Sequence, residues 1–483
     1  MAEKPNIILI TTDQHRGDCL GIDGHPVVQT PNLDALATSG IRFRRGMTES
    51  PSCIPARRSL MTGTAPAAQG MVGMTNADWN PPHTLAGSLR DAGYQTALIG
   101  KLHLSPKKKR FGFEYQELAD GPYEHEGNAY TRWLRDEHNI KDVDGAIAHG
   151  VDVNGWIGRP GHLTEEQGMT FWCASRAINF LHHQRDPTAP FFLNVSFFDP
   201  HPPLVPPEWY YNRYINMDLP APLIGDWAQD PGRQKRGYPT AAWRVNLDPE
   251  LMRCCRAAYY GTVNYIDDQI GRLTQYLRRE GLFDNTLILF TSDHGEMLGD
   301  HHLFRKCWPY EASARVPYIV KPPKPWNLPG GALSNCPVGL QDVMPTFLEA
   351  GGASIPQGCT GKSLLPIVRG ESDSVRHELH IEDSGTYESI DGYHALIGDR
   401  YKYVWYSQRH TEHLFDLEND PNEMNDLALG EGSDSQLAPW RGKLADVLRD
   451  RPEGFVEGGK LIRGRPHTKW VPGFPADKFM PFS

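Results

Sequence analysis

The stretch NIILITT, Asn6–Thr12, decides the fold that this sequence predicts. It is a continuous apolar run with β-branched side chains, which is typical of a strand buried on both faces of a parallel sheet. Two polar residues, Asp13 and Gln14, follow it directly. A carboxylate is therefore expected at the carboxyl end of a buried strand.

Three further apolar runs, at 95–99, 191–198 and 286–291, end in the same way. The polar residues that follow them are Lys101 and His103, Asp199 and His201, and Asp293 and His294. Segments with helical spacing, at 32–39, 84–92 and 257–279, separate the strands. Strands alternating with helices predict an α/β fold around a mostly parallel sheet. In such sheets the ligand crevice lies beyond the carboxyl ends of the strands, so these polar side chains are expected to converge there.

The pattern changes near residue 376, where short strands in close succession predict an antiparallel sheet. A helix at 436–450 is expected to cover it. The sequence is thus divided into an α/β catalytic domain at 1–375, an antiparallel-sheet subdomain at 376–450 and a tail at 451–483. The tail is rich in Pro, Gly and aromatic residues, so we expect it to pack on the body or on a neighbouring subunit of a homo-oligomer.

Composition excludes several classes of protein. The formal net charge of −10 argues against general nucleic-acid binding. No apolar run reaches the roughly eighteen residues that a membrane-spanning helix needs. The first residues carry no secretory signal, which predicts a cytoplasmic location. The eight cysteines form no C-x-x-C pair and are expected to be mostly buried, reduced thiols.

The segment SPSCIPARRSLMTG, residues 50–63, places a cysteine two residues before a proline and four before an arginine. If Pro55 opens a helix, Cys53 lies at its N-terminus and Arg57 one turn along, where helix N–H groups and the guanidinium favour an anion. A cysteine there has a lowered pKa and could attack phosphorus directly. However, the cysteine phosphatase loop needs an arginine six positions after the cysteine, and that position is Ser59. The spacing therefore fails for that class.

The same segment resembles the type I sulfatase signature of the alkaline phosphatase superfamily, Cys-x-Pro-x-Arg followed by Thr-Gly. The matching residues are Cys53, Pro55, Arg57, Thr62 and Gly63. The resemblance implies an alkaline-phosphatase-like α/β fold, with a large mixed, mostly parallel sheet sandwiched by helices. It also implies that a formylglycine-generating enzyme oxidises Cys53 to formylglycine, whose hydrated aldehyde is the nucleophile.

Asp13 and Asp293 end different strands that are expected to meet at one crevice. Two carboxylates there repel each other unless a cation lies between them, and oxygen-rich pairs suit Ca²⁺, Mg²⁺ or Mn²⁺. The resemblance implies that Gln14, His294 and the side chain derived from Cys53 complete the metal site. Many arylsulfatases have Asp and Asn in place of Gln14 and His294, and the pattern here is similar to that of choline sulfatases and phosphonate monoester hydrolases. Ca²⁺ is expected on family grounds, with Mn²⁺ or Mg²⁺ as alternatives, since Mn²⁺ accepts a nitrogen ligand.

Further positions match catalytic elements of the family. Lys101 and His103 match its Gly-Lys-x-His element, His201 its Pro-His element, and Lys306 the lysine after the second metal strand. The resemblance implies that Arg57 and the metal activate the nucleophile. Lys101, Lys306 and His201 would then hold the sulfuryl oxygens, with His201 or Lys306 stabilising the leaving group. His103 is the expected base for the release of sulfate.

The sequence thus predicts a hydrolase that converts a small-molecule or saccharide sulfate ester to an alcohol and inorganic sulfate. The alternative is a phosphonate monoester or phosphodiester hydrolase that uses the same site. A rival of another class is a non-catalytic binder of sulfated glycans in which Cys53 stays unmodified. Aromatic residues in the loops are candidates for contacting the organic part of the substrate, although loop packing explains them equally well: Tyr123, His125, Trp156, Trp209, Tyr210 and Trp227.

Overall fold

A computed structural model describes residues 4–121, 127–140, 150–235, 237–409 and 411–474 of the chain. The strands up to Gly339 are β1 (Asn6–Thr12), β2 (Ile41–Phe43), β3 (Gly46–Met47), β4 (Gln95–Gly100), β5 (Tyr115–Leu118), β6 (Phe191–Ser196), β7 (Thr286–Ser292), β8 (Tyr318–Lys321), β9 (Ala332–Ser334) and β10 (Val338–Gly339). Among the described residues, no helix combines the length and the apolar character that crossing a membrane requires.

Eight of these strands form one sheet in the order β5-β4-β6-β1-β7-β8-β2-β9. The strands from β5 to β7 in this order are parallel, as the sequence predicts. Strand β8 is antiparallel to both of its neighbours, so the sheet is mixed towards one edge. Strand β1 lies at the centre, where Ile8 pairs with Leu193 of β6 and Ile288 of β7.

Helices cover both faces of this sheet. They are α1 (Pro31–Thr38), α2 (Cys53–Thr62), α3 (Pro66–Gln69), α4 (Leu85–Asp91), α5 (Ala129–His138), α6 (Met169–Asn179), α7 (Glu208–Ile215), α8 (Pro249–Arg279), α9 (Glu311–Ala314), α10 (Val343–Ala350) and α11 (Leu365–Val368). Ile7 and Leu9 of β1 pack in one core with α2, α4 and α10. Ile8 and Ile10 pack in another with α1, α6 and α8. The continuous apolar run of β1 therefore reflects burial on both faces.

A four-stranded antiparallel sheet follows, with β11 (Leu379–Asp383), β12 (Tyr393–Ile397), β13 (Tyr401–Tyr406) and β14 (Glu412–Asp416) in that order. One face packs on the preceding part of the chain through Ile381, Tyr393 and Val404. The other packs against α12 (Asp434–Leu448) through Leu396, Tyr403 and Trp405. This arrangement agrees with the predicted antiparallel sheet and its covering helix.

The described part of the tail contacts the body of the same chain. It contains the short strands β15 (Val456–Glu457) and β16 (Lys460–Leu461). Further along, the backbone at Trp470 bridges to Met71, and Arg58 lies over the Trp470 ring at 5.5 Å. The end of the tail, at 475–483, lies outside the described residues, and the domain boundaries at 375 and 450 stay predictions.

Candidate active site

The carboxyl ends of four neighbouring strands supply the polar groups of one buried crevice. Asp13 follows β1, Lys101 follows β4, His201 follows β6 and Asp293 follows β7, and all four side chains are buried. Lys101 Nζ lies 2.6 Å from Asp13 Oδ2. The convergence that the strand pattern predicts is therefore present in the structure.

Helix α2 brings Cys53 to these strand ends. The helix begins at Cys53 itself, two residues earlier than the expected start at Pro55, and it ends at Thr62, before Gly63, whose φ of 65° few other residues adopt. Every residue of α2 is buried. Cys53 Sγ lies 3.1 Å from His294 Nε2, so the thiol faces the residue that follows Asp293.

Arg57, one turn further along α2, joins the two carboxylates. Its Nη2 lies 3.2 Å from Asp13 Oδ2, and its Nε donates to Asp293 Oδ2 at 2.9 Å. Its Nη1 donates to the Lys101 carbonyl at 3.2 Å and to Ser196 Oγ at 3.4 Å. The guanidinium thus links the helix to the ends of four strands, β1, β4, β6 and β7.

Four groups of this crevice could hold a metal ion. One ligand atom from each of Asp13, Cys53, Asp293 and His294 lies within 4.8 Å of the others. Asp13 Oδ1 is buried, has no hydrogen-bond partner among the described residues, and lies 3.6 Å from His294 Nε2. A buried carboxylate oxygen without a donor fits a cation ligand, because leaving such a group unsatisfied is costly.

The electrostatics of the two carboxylates also fit a cation. Burial alone would raise the pKa of Asp13, but the charges of Lys101, His201, Lys306 and Arg57 lower it well below its usual value. Burial and the charge of Asp13 together raise the pKa of Asp293. The negative charge of one carboxylate thus disfavours ionisation of the other, and a divalent cation between them would stabilise the ionised form of both.

The environment of Cys53 favours its ionised form. Burial and the charge of Asp13 raise the pKa of the thiol, but Lys306, His294 and His103 outweigh them and hold it well below its usual value. The crevice therefore stabilises negative charge at position 53.

The side chain of Gln14, an expected metal ligand, has hydrogen-bond partners for both its oxygen and its nitrogen. Its Oε1 accepts a hydrogen bond from Lys306 Nζ at 2.8 Å, and its Nε2 donates to Glu296 Oε2. The backbone of Gln14 has a φ of 70°, a left-handed conformation that is uncommon for a residue other than glycine. The contact with Lys306 brings that predicted catalytic residue to the crevice.

The two remaining predicted histidines are held by their neighbours. His201 Nδ1 lies 2.6 Å from the Pro202 carbonyl, and its ring packs on Phe198. Burial first, and then the charge of Lys306, lowers the pKa of His201 well below its usual value. His103 adopts a φ of 52°, and its backbone N–H donates to Asp120 Oδ1 at 2.9 Å.

Sequence reasoning missed three side chains that organise the site: Ser196, Asp120 and Glu296. Asp120 follows β5, so the same strand-end rule applies to it, but the strand Tyr115–Leu118 contains Gln and Glu and gives no apolar signal. Glu296 lies three residues after Asp293 in a loop, where no pattern marks it.

The aromatic residues that are candidates for contacting the substrate differ in how exposed their side chains are. Trp156 and Tyr210 are buried, and Trp227 stacks on Tyr310 with ring centroids 4.3 Å apart, so these three pack inside the protein. Trp209 is 68% exposed. Tyr123 and His125 lie outside the described residues.

The chain is similar in sequence to known sulfatases. The family profile "Sulfatase" matches residues 5–353, and the profile "N-sulphoglucosamine sulphohydrolase, C-terminal" matches residues 299–449. An arylsulfatase of Clostridium perfringens is 39% identical, over 96% of this chain and 98% of its own length. A choline-sulfatase of Rhizobium meliloti is 32% identical, over 88% and 82%.

A solved structure is similar over most of the fold. The phosphonate monoester hydrolase of Agrobacterium radiobacter superposes with a TM-score of 0.73 at 26% identity, covering 92% of this chain and 95% of its own. Both the site residues and these similarities point to one family. The chain therefore belongs to the sulfatase family and is a sulfuric ester hydrolase of the alkaline phosphatase superfamily.

Proposed function

We propose that this chain hydrolyses a sulfate monoester with residue 53 as the nucleophile. The observation that carries the proposal is the meeting of Cys53 with two carboxylates and His294 at the carboxyl ends of the central strands. Lys101, Lys306 and Arg57 add positive charge around them. A concentration of cations at one buried nucleophile suits an anionic ester.

Conversion of Cys53 to formylglycine is the second part of the proposal. When present, its hydrate supplies one hydroxyl that attacks sulfur and a second whose deprotonation releases sulfate. Cys53 is only 1% exposed in the folded chain. This burial supports the idea that a formylglycine-generating enzyme acts before the chain has folded.

A divalent cation is the third part. Asp13, Gln14, Asp293, His294 and the residue derived from Cys53 would hold it, and when bound it would polarise the nucleophile and a sulfate oxygen. Ca²⁺ is the proposed ion because formylglycine would make the donor set rich in oxygen. Mn²⁺ is the alternative because His294 offers nitrogen. Cytoplasmic location and a homo-oligomeric state stay predictions.

The chain's own charged groups have separable roles in this proposal. Lys101 and Lys306 offer charge to the sulfuryl oxygens, whose negative charge they would balance in the transition state. Arg57 fixes the positions of both carboxylates through its contacts to Asp13 and Asp293. The Nδ1 of His201 is held by the Pro202 carbonyl, which leaves Nε2 as the atom for proton exchange with the leaving group. His103 is the proposed base.

Phosphonate monoesters are the second candidate substrates, because Gln14 and His294 match that pattern and the hydrolase from Agrobacterium radiobacter shares the fold. The test measures kcat/KM for an aryl sulfate and an aryl phosphonate monoester on one enzyme preparation. The proposal expects the sulfate to be the better substrate. A higher value for the phosphonate would favour the second candidate. A panel of sulfated sugars, choline sulfate and aryl sulfates would then identify the organic part.

A further inference from the structure

The aromatic ring of Phe198 contacts two polar groups of the active-site crevice. Phe198 follows β6 by two residues and is 3% exposed. Lys101 Nζ lies over the face of the ring, 4.5 Å from its centroid. The ring of His201 packs on the same side chain, with ring centroids 4.9 Å apart and planes 48° from parallel. One apolar side chain therefore contacts two of the groups that are proposed to act on the substrate.

Backbone hydrogen bonds on both sides of Phe198 fix where its ring lies. The N–H of Phe197 donates to the Thr11 carbonyl at 2.8 Å, and the Asp199 carbonyl accepts from the N–H of Asp13 at 3.4 Å. The Phe197 side chain packs in the core with α6 and α8. The Phe198 side chain is turned towards the crevice instead. The loop after β6 is thus joined to β1 at two points, and this holds the ring in place.

Lys101 is a cation that the fold removes almost entirely from water. Its side chain is 1% exposed, and its Nζ contacts Asp13 Oδ2 at 2.6 Å. Burial of an ammonium group is costly unless other groups replace its hydration. An aromatic face attracts a cation, and this attraction is stronger where water is excluded. Phe198 therefore replaces part of the hydration that Lys101 loses.

The ring stabilises the lysine without cancelling its charge. A second carboxylate would neutralise the ammonium, whereas Phe198 carries no net charge. Asp13 does not neutralise it fully either, because Arg57 contacts the same oxygen, Asp13 Oδ2, at 3.2 Å. The positive charge of Lys101 thus stays available to an anion, and its attraction is stronger in a site that water does not enter.

We propose that Phe198 is a positioning residue for hydrolysis of the ester. Its ring holds the Lys101 ammonium by a cation–π contact, and the imidazole of His201 by aromatic packing, in the places from which they act on the substrate. The inference rests on the proposed function, in which Lys101 balances the charge of the sulfuryl oxygens. Phe198 acts through these two groups and not on the reacting atoms.

The first test replaces Phe198, in enzyme that contains formylglycine, by leucine and by phenylalanines with one, two or three ring fluorines. Fluorine withdraws electron density from the face of the ring with little change in size, so it weakens a cation–π contact stepwise. Phe198→Leu should lower kcat on an aryl sulfate about tenfold and change KM less than about threefold, because the contact supports charge used in the transition state. The kcat of the fluorinated enzymes should fall in the order of fluorine number. The same replacements at Phe197, in the core, should give no such order.

The second test measures the contact between Phe198 and Lys101 without turnover, by urea unfolding of the fluorinated proteins. Added fluorines should lower the midpoint urea concentration relative to the same series made in Lys101→Met, because that variant has no cation over the ring. Arg57 still contacts Asp13 when Lys101 is replaced, so the buried carboxylate keeps a counter-charge.

The two tests separate this inference from the proposed function. If the enzyme turns over neither an aryl sulfate nor an aryl phosphonate, the proposed function fails, and the urea midpoints still decide whether the contact exists. In active enzyme, an equal kcat across the Phe198 series, or the same order of kcat at Phe197, overturns the inference. Midpoints that respond to fluorine equally with and without Lys101 overturn it as well.

Discussion

At the scale of single residues, the contact with His294 distinguishes the Cys53 thiol from an ordinary buried thiol. The other cysteines for which a shift is resolved, Cys173 and Cys255 among them, have a raised pKa because burial disfavours the thiolate. Cys53 is equally buried, yet its pKa is lowered by Lys306, His294 and His103. Burial with surrounding positive charge marks a group that works as an anion.

The first prediction concerns the nucleophile. Cys53→Ala should lower kcat on an aryl sulfate by at least about a thousandfold, because it removes the only attacking group in the proposal. Cys53→Ser should give at most a single turnover, since a serine ester cannot release sulfate as a hydrate can. Cys254→Ala, at a half-buried thiol on α8, is the matched control and should keep normal turnover. Repeated turnover by Cys53→Ser would contradict the mechanism.

The second prediction concerns Glu296, which holds the side chain of Gln14. Its Oε1 also accepts the backbone N–H of Leu298 at 2.9 Å, which fixes the carboxylate. Glu296→Gln should weaken binding of the divalent metal by about 10–100-fold, as losses of supporting hydrogen bonds do, with kcat recovering at high metal concentration. The measurement is metal affinity beside kcat against metal concentration. An unchanged affinity, equal to that of the exposed control Glu280→Gln, would show that Glu296 does not position the site.

At the scale of elements, the central strands were predictable because each is an apolar run that ends in a polar residue. Strand β1 is an example, since its length and its carboxyl end both match the sequence pattern. Strand β2, with three residues, and the edge strand β5, which is half-buried and polar, lack that signal. Their positions depend on long-range pairing, which a single sequence does not display.

The positions of the site residues at strand ends were predictable for the same reason. The directions of their side chains were not, because these depend on contacts with distant parts of the chain. Asp13, Lys101 and Asp293 directly follow buried strands, so topology alone brings them together. The direction of the Gln14 side chain depends on Glu296 and Lys306, which lie 282 and 292 residues away. The direction of this side chain is set by side-chain packing and not by strand order.

The third prediction concerns the interface between the antiparallel sheet and the α/β part of the chain that precedes it. Lys402 of β13 is fully buried and contacts Glu311 at 2.7 Å and Glu423 at 2.8 Å. Lys402→Met should lower the free energy of unfolding by about 3–5 kcal/mol, because it removes the ion pair of the buried Glu423 carboxylate and leaves Glu311 with Arg315. Urea denaturation measures this. Lys402→Met/Glu423→Gln should recover part of the loss, whereas the exposed control Lys443→Met should change stability by less than about 0.5 kcal/mol. An equally small effect of Lys402→Met would contradict the account of this interface.

At the scale of the whole molecule, two histidines make the fold sensitive to acid. His25 Nδ1 accepts the N–H of Val28 at 2.9 Å, and His301 Nδ1 accepts that of Gly225 at 3.1 Å, so both rings must be neutral. Burial lowers the pKa of each from its usual value near 6.5 to about 4. Between these values the unfolded chain binds more protons than the folded chain, so these groups lower stability as pH falls from about 6.5 to about 4.

The fourth prediction follows from this loss of stability as the pH falls. His25→Asn keeps an acceptor for the backbone N–H groups but does not titrate, so its unfolding free energy should fall less than that of the wild type between pH 6.5 and pH 4. The measurement is urea denaturation of both proteins across this range. Parallel pH curves for the two proteins would mean that His25 does not contribute to acid sensitivity.

In the proposed function, residue 53 as formylglycine carries out hydrolysis of the sulfate ester. The most direct test is the mass of the peptide that contains residue 53, taken from enzyme made in its native host whose turnover of an aryl sulfate has been measured. We expect the fraction of chains in which an aldehyde has replaced the CH2SH side chain of Cys53 to equal the fraction of active sites. Full turnover by enzyme in which Cys53 remains an unmodified thiol would contradict it.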